Sequence, residues 1–268
     1  RQVLLGPETI ARVMSLPAVN DRDGRTWQYH TRSDRHSKVA CLVVLMDLLE
    51  ACPLLRRHAT EGRVTFGVNH ELRDFRSGRK KDLDFVICRP AGEAKRARTV
   101  AEMAREVGIE PTAAGHDLKE AAVGSVLMAL EAKACMTAHI KALPRLFDEL
   151  NSSQQTVHGA TQEALAAGFV MINAASAFVT PLDGRLHALD QPRVTARAIA
   201  KVRELPRRTK SDENGYDALG VVVVDIKNDG SPIRVVTEPP APQPNDIDHY
   251  ARLIDRLATL YSSRFKEL

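Results

Sequence analysis

The sequence predicts an α/β chain in which a mixed central sheet is flanked by helices, with an additional β-hairpin and a C-terminal helix set against that core. Three observations carry this expectation. Residues 38–55, KVACLVVLMDLLEACPLL, are apolar on nearly all sides, which suits a buried helix closed near Pro53. The β-prone runs 63–72 and 82–90 are joined by a basic segment, RDFRSGRKK, containing Gly78, and read as an antiparallel hairpin. Residues 125–179 read as strand, helix, strand, an order that implies a parallel crossover.

The remaining elements follow in order. Residues 1–37 form an N-terminal arm: a short helical pattern at 8–16, then a polar stretch bearing Arg22, Arg25, Arg32 and Arg35. Residues 92–108 have helical composition with Gly108 as a stop, and are expected to be a helical insertion within 91–120. SVLMALEAKACMT at 125–137 is read as a buried strand, although its Ala and Leu also suit a helix. The following helix is expected to break near Pro144 or Gly159, and 168–179 to be a second buried strand. After Pro181 come a loop, a basic helix at 195–203, and two strands around an Asn-Asp-Gly turn. A proline-rich connector then leads to an amphipathic terminal helix, which suits packing on its own core or a dimer surface. The division expected is an arm at 1–37, a core at 38–180 and a C-terminal hairpin and helix at 181–268.

A charged fraction of 27% and a hydrophobic fraction of 44% are those of a folding chain, and 268 residues suffice for one large domain. The net charge of +4 does not by itself specify a nucleic-acid partner; local clusters matter more. Cys41, Cys52, Cys88 and Cys135 form no CxxC pair and sit in apolar runs, so they are expected as buried, reduced thiols rather than zinc ligands. No apolar stretch reaches the roughly 18–20 residues of a membrane span, and residues 1–30 lack a secretory pattern, so a cytoplasmic protein is expected. The sequence opens on Arg1 without a methionine, as a trimmed start would. There is no GxxxxGK[ST] loop and no GxSxG elbow, which argues against P-loop and serine-hydrolase chemistry.

The candidate chemistry lies in three residues. Asp84 sits inside the strand-like run DLDFVI, and Glu131 and Lys133 inside LMALEAKAC, where a charge is costly unless paired or ligating. A spacing of two puts Glu131 and Lys133 on one side of a strand, whereas on a helix they would not face each other. A hard divalent ion needs only one or two such carboxylates, because it retains waters. Bound there, it would lower the pKa of an attacking water and neutralise charge on a phosphate.

An acid followed by ExK on neighbouring strands of an αβββαβ order resembles the core of the PD-(D/E)xK, restriction-endonuclease-like nucleases. The resemblance covers about residues 38–180. It implies that Asp84 and Glu131 hold Mg²⁺, with Mn²⁺ as a possible substitute, and that Lys133 positions or polarises the water. Leu83 stands where the family has proline, and Glu131 follows Asp84 by 47 residues, a long gap that the insertion at 92–108 accounts for. The implied activity is that of a DNA endonuclease acting on double-stranded DNA, with a type II restriction enzyme, commonly a homodimer, as the favoured role in a bacterial or archaeal cytoplasm. A repair, recombination or other antiphage nuclease of the same core stays open, as does a non-catalytic DNA-binding protein with a degenerate nuclease fold.

Further acids that could join the ion are Glu50 on the first helix and Glu71 and Asp82 in the hairpin. A rival copy of the acid–lysine pair, Asp225 and Lys227, lies on the run VVVVDIKND, but the turn that follows it makes a hairpin where the family's strand leads into a helix. His139 and His158 lie past the catalytic strand and read as packing residues more readily than catalytic ones. DNA contacts are expected from Arg73, Arg76, Arg79, Lys80 and Lys81 at the hairpin turn, from Arg32 and Arg35 in the arm, and from Arg207 and Arg208, with Arg203 and Lys210 beside them.

Overall fold

A computed structural model describes residues 4–92 and 97–268. The chain opens with helix α1 (Gly6–Met14) and a small ribbon of β1 (Val19–Asn20) and β2 (Thr26–Trp27). Helix α2 (Arg35–Ala51) is buried around most of its circumference, as its largely apolar run requires, and yields to α3 (Pro53–Thr60) at the expected proline. Leu55 therefore belongs to α3 rather than to the first long helix.

The hairpin is present as β3 (Thr65–Arg73) and β4 (Lys80–Pro90), turning through Gly78 at φ 73°. The insertion is shorter than the composition suggests. Its helix α4 (Val100–Glu106) starts at a capping box in which Thr99 and Glu102 satisfy each other's backbone N–H groups, and residues 93–96 of the expected helix lie outside the described residues. Strand β5 (Val123–Cys135) then runs straight into helix α5 (His139–Ala160), which is continuous. Of the two expected breaks, Pro144 does not interrupt the helix, which instead ends at Ala160, beside Gly159. Pro144 stands in the second turn, where its missing N–H forgoes one helix bond, and Leu143, Leu146, Leu150 and Val157 hold the helix to the sheet.

Strand β6 (Leu165–Asn173) is buried at all nine positions, but the apolar run does not continue as one strand. Asn173 ends it by using its side-chain amide to bridge the Met136 and Ile226 carbonyls, and β7 (Ala177–Val179) turns away to pair with β8 (Leu186–Ala188). After α6 (Arg193–Arg203) come β9 (Ala218–Asp225), β10 (Arg234–Val236) and the terminal helix α7 (Tyr250–Arg264). The C-terminal hairpin is longer-looped than an Asn-Gly-type turn. Arg234 pairs with Asp225, and the Asn228 amide is drawn inward to the Tyr29 and Val179 carbonyls.

The central sheet has the order β10-β9-β6-β5-β4-β3. Strands β5, β6 and β9 are parallel, and both edges are antiparallel hairpins. Residues 181–268 are thus not an appendage: β9 is an interior strand, and the core does not close at residue 180. Apolar side chains of α1, α2, α4 and α7 cover one side of the sheet, and those of α5 and α6 the other, as buried parallel strands demand. Helix α7 buries Leu253, Ile254, Leu257 and Tyr261 against its own sheet. All four cysteines are buried and unpaired, and no described helix is long and apolar enough to cross a membrane.

Candidate functional site

The sheet opens at one point between two of its neighbours. Pairing of β4 with β5 runs from Pro90↔Val123 to Phe85↔Leu130 and stops, while β5 stays paired to β6 as far as Cys135↔Ile172. The residues next past the last rung are Asp84 and Glu131. On the other side of β4 the register passes from Val68↔Phe85 to His70↔Leu83, and the position between is Asn69 at φ 47°, a conformation that non-glycine residues adopt at a cost. Both strands flanking β4 are therefore perturbed at Asp84.

At this fork the Asp84 carboxylate takes over a vacant place in the ladder: its Oδ2 accepts the main-chain N–H of Ala132 at 2.9 Å. Burial and then the charge of Glu131 push its pKa up to about 6, and the Ala132 hydrogen bond and Lys133 offset this only in part. Glu131 and Lys133 share one side of β5, as their spacing predicts, with Lys133 Nζ 2.7 Å from Glu131 Oε1. Burial works against the Lys133 ammonium, but the charge of Glu131 and its hydrogen bond outweigh it, so the pKa of Lys133 rises. Glu131 is 3% exposed, and its Oε2 is buried with no hydrogen-bond partner.

Around these three stand groups that the sequence reading did not assign to the centre. Glu149 of α5 places Oε2 3.8 Å from Lys133 Nζ, and Arg145 holds the other oxygen of that carboxylate at 2.6 Å. Lys81, expected as a DNA contact, turns inward and donates to the Glu149 carbonyl at 2.6 Å. Burial lowers its pKa, with Glu131 acting in the opposite sense and Lys133 in the same one. On the α2 side a cavity of about 390 Å³ brings Asp84 together with Asp34, Ser37, Lys38 and Arg98. A second cavity of about 370 Å³ is lined by Lys133, Glu149, Arg145, Tyr29 and His36. His36 Nδ1 is buried without a partner, and burial followed by the Lys133 charge brings its pKa down to about 4. Asp34, immediately ahead of α2, carried a signal in its position before a helical run; Glu149 carried none.

The other candidate acids are not gathered here. Glu50 lies at the far end of α2, roughly 18 Å along the helix from Lys38, and receives the Ala114 N–H at 3.4 Å instead. Glu71 and Asp82 face each other on exposed rungs of the hairpin, and Glu71 is taken by Lys80 at 2.7 Å. Among the described residues no three His, Cys, Asp or Glu side chains are placed to hold a metal ion together. The donor set on offer is two carboxylates, one with a buried, unpartnered oxygen, crowded enough to raise Asp84. That suits a hard divalent ion that keeps most of its shell as water, and lacks the nitrogen or sulfur ligands usual for zinc. The rival Asp225 is paired with Arg234 at 3.1 Å, and β9, which carries it, is separated from β4 by β6 and β5.

The basic clusters divide. Arg73, Arg76, Arg79 and Lys80 are exposed at the hairpin turn, and Arg22, Arg25 and Arg32 on the arm. Arg35, by contrast, ties the arm to α1 by donating to the Val13 carbonyl at 2.8 Å. Arg208 is withdrawn from any surface role: its side chain is fully buried, 2.9 Å from Asp217, and donates to three main-chain carbonyls besides. Arg207 reaches the Leu219 carbonyl, and Arg203 pairs with Asp248. His139 and His158 hydrogen-bond the Asn173 and Gly215 carbonyls from buried positions and are structural. Comparison with protein-family models, with curated proteins and with solved structures finds no match to this chain.

Proposed function

We propose that this chain is a metal-dependent deoxyribonuclease of the PD-(D/E)xK type that hydrolyses phosphodiester bonds in double-stranded DNA, with type II restriction as its role. The observation that carries the reading is the meeting of Asp84, Glu131 and Lys133 where β4 and β5 part. The order α2, β3, β4, β5, α5, β6, with α3 and α4 interposed, supports it, since the αβββαβ order is that of the family's core.

Asp84 and Glu131 would hold Mg²⁺, which when bound supplies an acidified water and neutralises charge on the scissile phosphate. The protein's own groups do the rest. Lys133 fixes the Glu131 carboxylate and would supply an ammonium to the reacting oxygens, and Glu149, itself held by Arg145, steadies that ammonium from α5. Asp84 must be ionised to act, and its raised pKa in the metal-free protein means that Mg²⁺ must displace a proton in order to bind below about pH 6. Two copies, as a homodimer, would address both strands of a symmetric site.

Incubation of the purified protein with plasmid and phage DNA, with Mg²⁺ and then with EDTA, tests the proposal. Discrete fragments that disappear on chelation and in Glu131→Ala are expected. Cleavage confined to branched or damaged DNA would move the role to repair or recombination. Mg²⁺ binding with no cleavage of any DNA would leave a non-catalytic binding protein.

A further inference from the structure

Phe75 is 77% exposed, the most exposed large hydrophobic side chain described, and it stands at the tip of the β3–β4 hairpin. Singly exposed apolar residues are ordinary on a protein surface. This one differs in its mounting and its neighbours.

The turn that carries it is locked. Asp74 N donates to the Arg79 carbonyl and Gly78 N to the Asp74 carbonyl, each at 2.8 Å. The buried Asp74 carboxylate accepts Arg76 N at 2.8 Å and also the Ser77 hydroxyl. Phe75 N is tied to the Gly159 carbonyl of α5 at 3.3 Å, and a methyl group added at Gly159 would fall on the Asp74 carboxylate. A backbone pinned this firmly fixes where the Phe75 side chain leaves the chain, and its ring stands in water.

The same turn carries Arg73, Arg76 and Arg79, all exposed; among the described residues none of the three makes an ion pair, and Arg79 reaches only the Gln155 side-chain amide, at 3.4 Å. A rigid turn that exposes an aromatic ring and three arginines outside any ion pair is complementary to a polyanion that carries flat apolar faces. Phosphates meet the arginines, and the ring meets bases.

We infer that the β3–β4 tip is a wedge for duplex DNA, in which Phe75 enters a base step while Arg73, Arg76 and Arg79 hold the flanking phosphates. The inference rests on the reading of this chain as an enzyme of duplex DNA and adds how it grips and deforms that substrate. The hairpin strand separates Arg79 from Asp84 by five residues, roughly 17 Å of extended chain, so the tip would grip duplex away from the scissile phosphate.

The test uses the whole protein and a short duplex in EDTA, where nothing is cut. In Phe75→Trp the new indole is read against wild type, whose single tryptophan, Trp27, donates its indole N–H to Asp21 at 2.8 Å. Duplex is expected to quench the new emission, and phosphatidylserine vesicles are not. Phe75→Ala should weaken duplex binding roughly tenfold, the size of one lost stacking contact, without changing the salt dependence. Arg73→Ala and Arg76→Ala should each lower the slope of log affinity against log salt by about 0.9.

Unquenched emission in the bound complex, with wild-type affinity in Phe75→Ala, overturns the wedge; Mg²⁺-dependent cleavage that survives in the same variant would then leave the nuclease standing. Quenching with no cleavage in Mg²⁺ keeps the wedge and removes the nuclease. Quenching by vesicles alone, or no binding to duplex at all, overturns the wedge.

Discussion

The Asp84 carboxylate accepts the backbone N–H of Ala132, 48 residues later in the chain, at 2.9 Å across the gap where β4 and β5 stop pairing. A side chain thereby completes a sheet that the backbone leaves open, and the same carboxylate is held beside Glu131.

That placement destabilises the metal-free protein once Asp84 ionises. With the folded pKa raised to about 6, the contribution of Asp84 to stability is whole below the unfolded value and is lost as pH rises through 6. Asp84→Asn keeps an acceptor for Ala132 and removes the charge. In EDTA at pH 8 it should be more stable than wild type by about 2 kcal/mol in urea denaturation, with the difference gone at pH 4. Cleavage should be abolished. A variant less stable than wild type at pH 8 would mean that Asp84 is not strained by its neighbours.

Lys133 is the counter-ion of a carboxylate that has almost no water. Lys133→Met leaves Glu131 charged and buried, which should cost about 3 kcal/mol at pH 8. Glu131→Gln combined with Lys133→Met should recover most of that loss, because the pair is removed together. A double-mutant cycle in urea checks it; equal stability of the single and double variants would show that Glu149 and Lys81 matter more than the 2.7 Å contact.

Gly159 marks where α5 meets the hairpin tip. Gly159→Ala should displace the Asp74 carboxylate and loosen the turn, lowering stability by about 1–3 kcal/mol. Faster amide exchange is expected at residues 74–79, with duplex binding weakened alongside, and unchanged exchange there would show that the tip does not depend on this packing.

Arg208 and Arg76 should separate cleanly. Arg208→Ala strips a buried charge from Asp217, which also faces Arg264 at 3.4 Å and His158 at 3.8 Å, and should cost about 3–5 kcal/mol at any salt concentration. Arg76→Ala should leave the melting temperature within a degree or so and change only DNA binding. Near the same ion pair, burial and then Arg208 bring the His158 pKa down to about 4. The contribution of this histidine is whole above its unfolded pKa and is lost as pH falls from there toward 4, on the order of 3 kcal/mol. His158→Gln should flatten the pH dependence of stability between pH 6.5 and 4; an unaltered slope would assign the acid sensitivity elsewhere.

Much of this centre is legible in the chain. Two charges spaced by two in LEAKAC must share one side if the run is a strand, and the apolar residues around them require that each be partnered. The hairpin before it and the crossover after it show in local composition, because pleat, turn chemistry and helical periodicity are properties of neighbouring residues. The four thiols were legible as buried for the same reason.

What only the tertiary structure decided is which charges meet and which are already spent. Nothing local tells which end of α2 faces the fork, so that Asp34 lines its cavity and Glu50 does not, or that Glu149 and Lys81 close on Lys133 from different elements. Nothing local distinguishes Arg208, sealed against Asp217, from Arg76 in water, since both stand in polar, turn-rich segments. Side-chain direction along a strand follows from the covalent geometry of adjacent residues. Burial and pairing of a charge depend on what the rest of the chain packs against it.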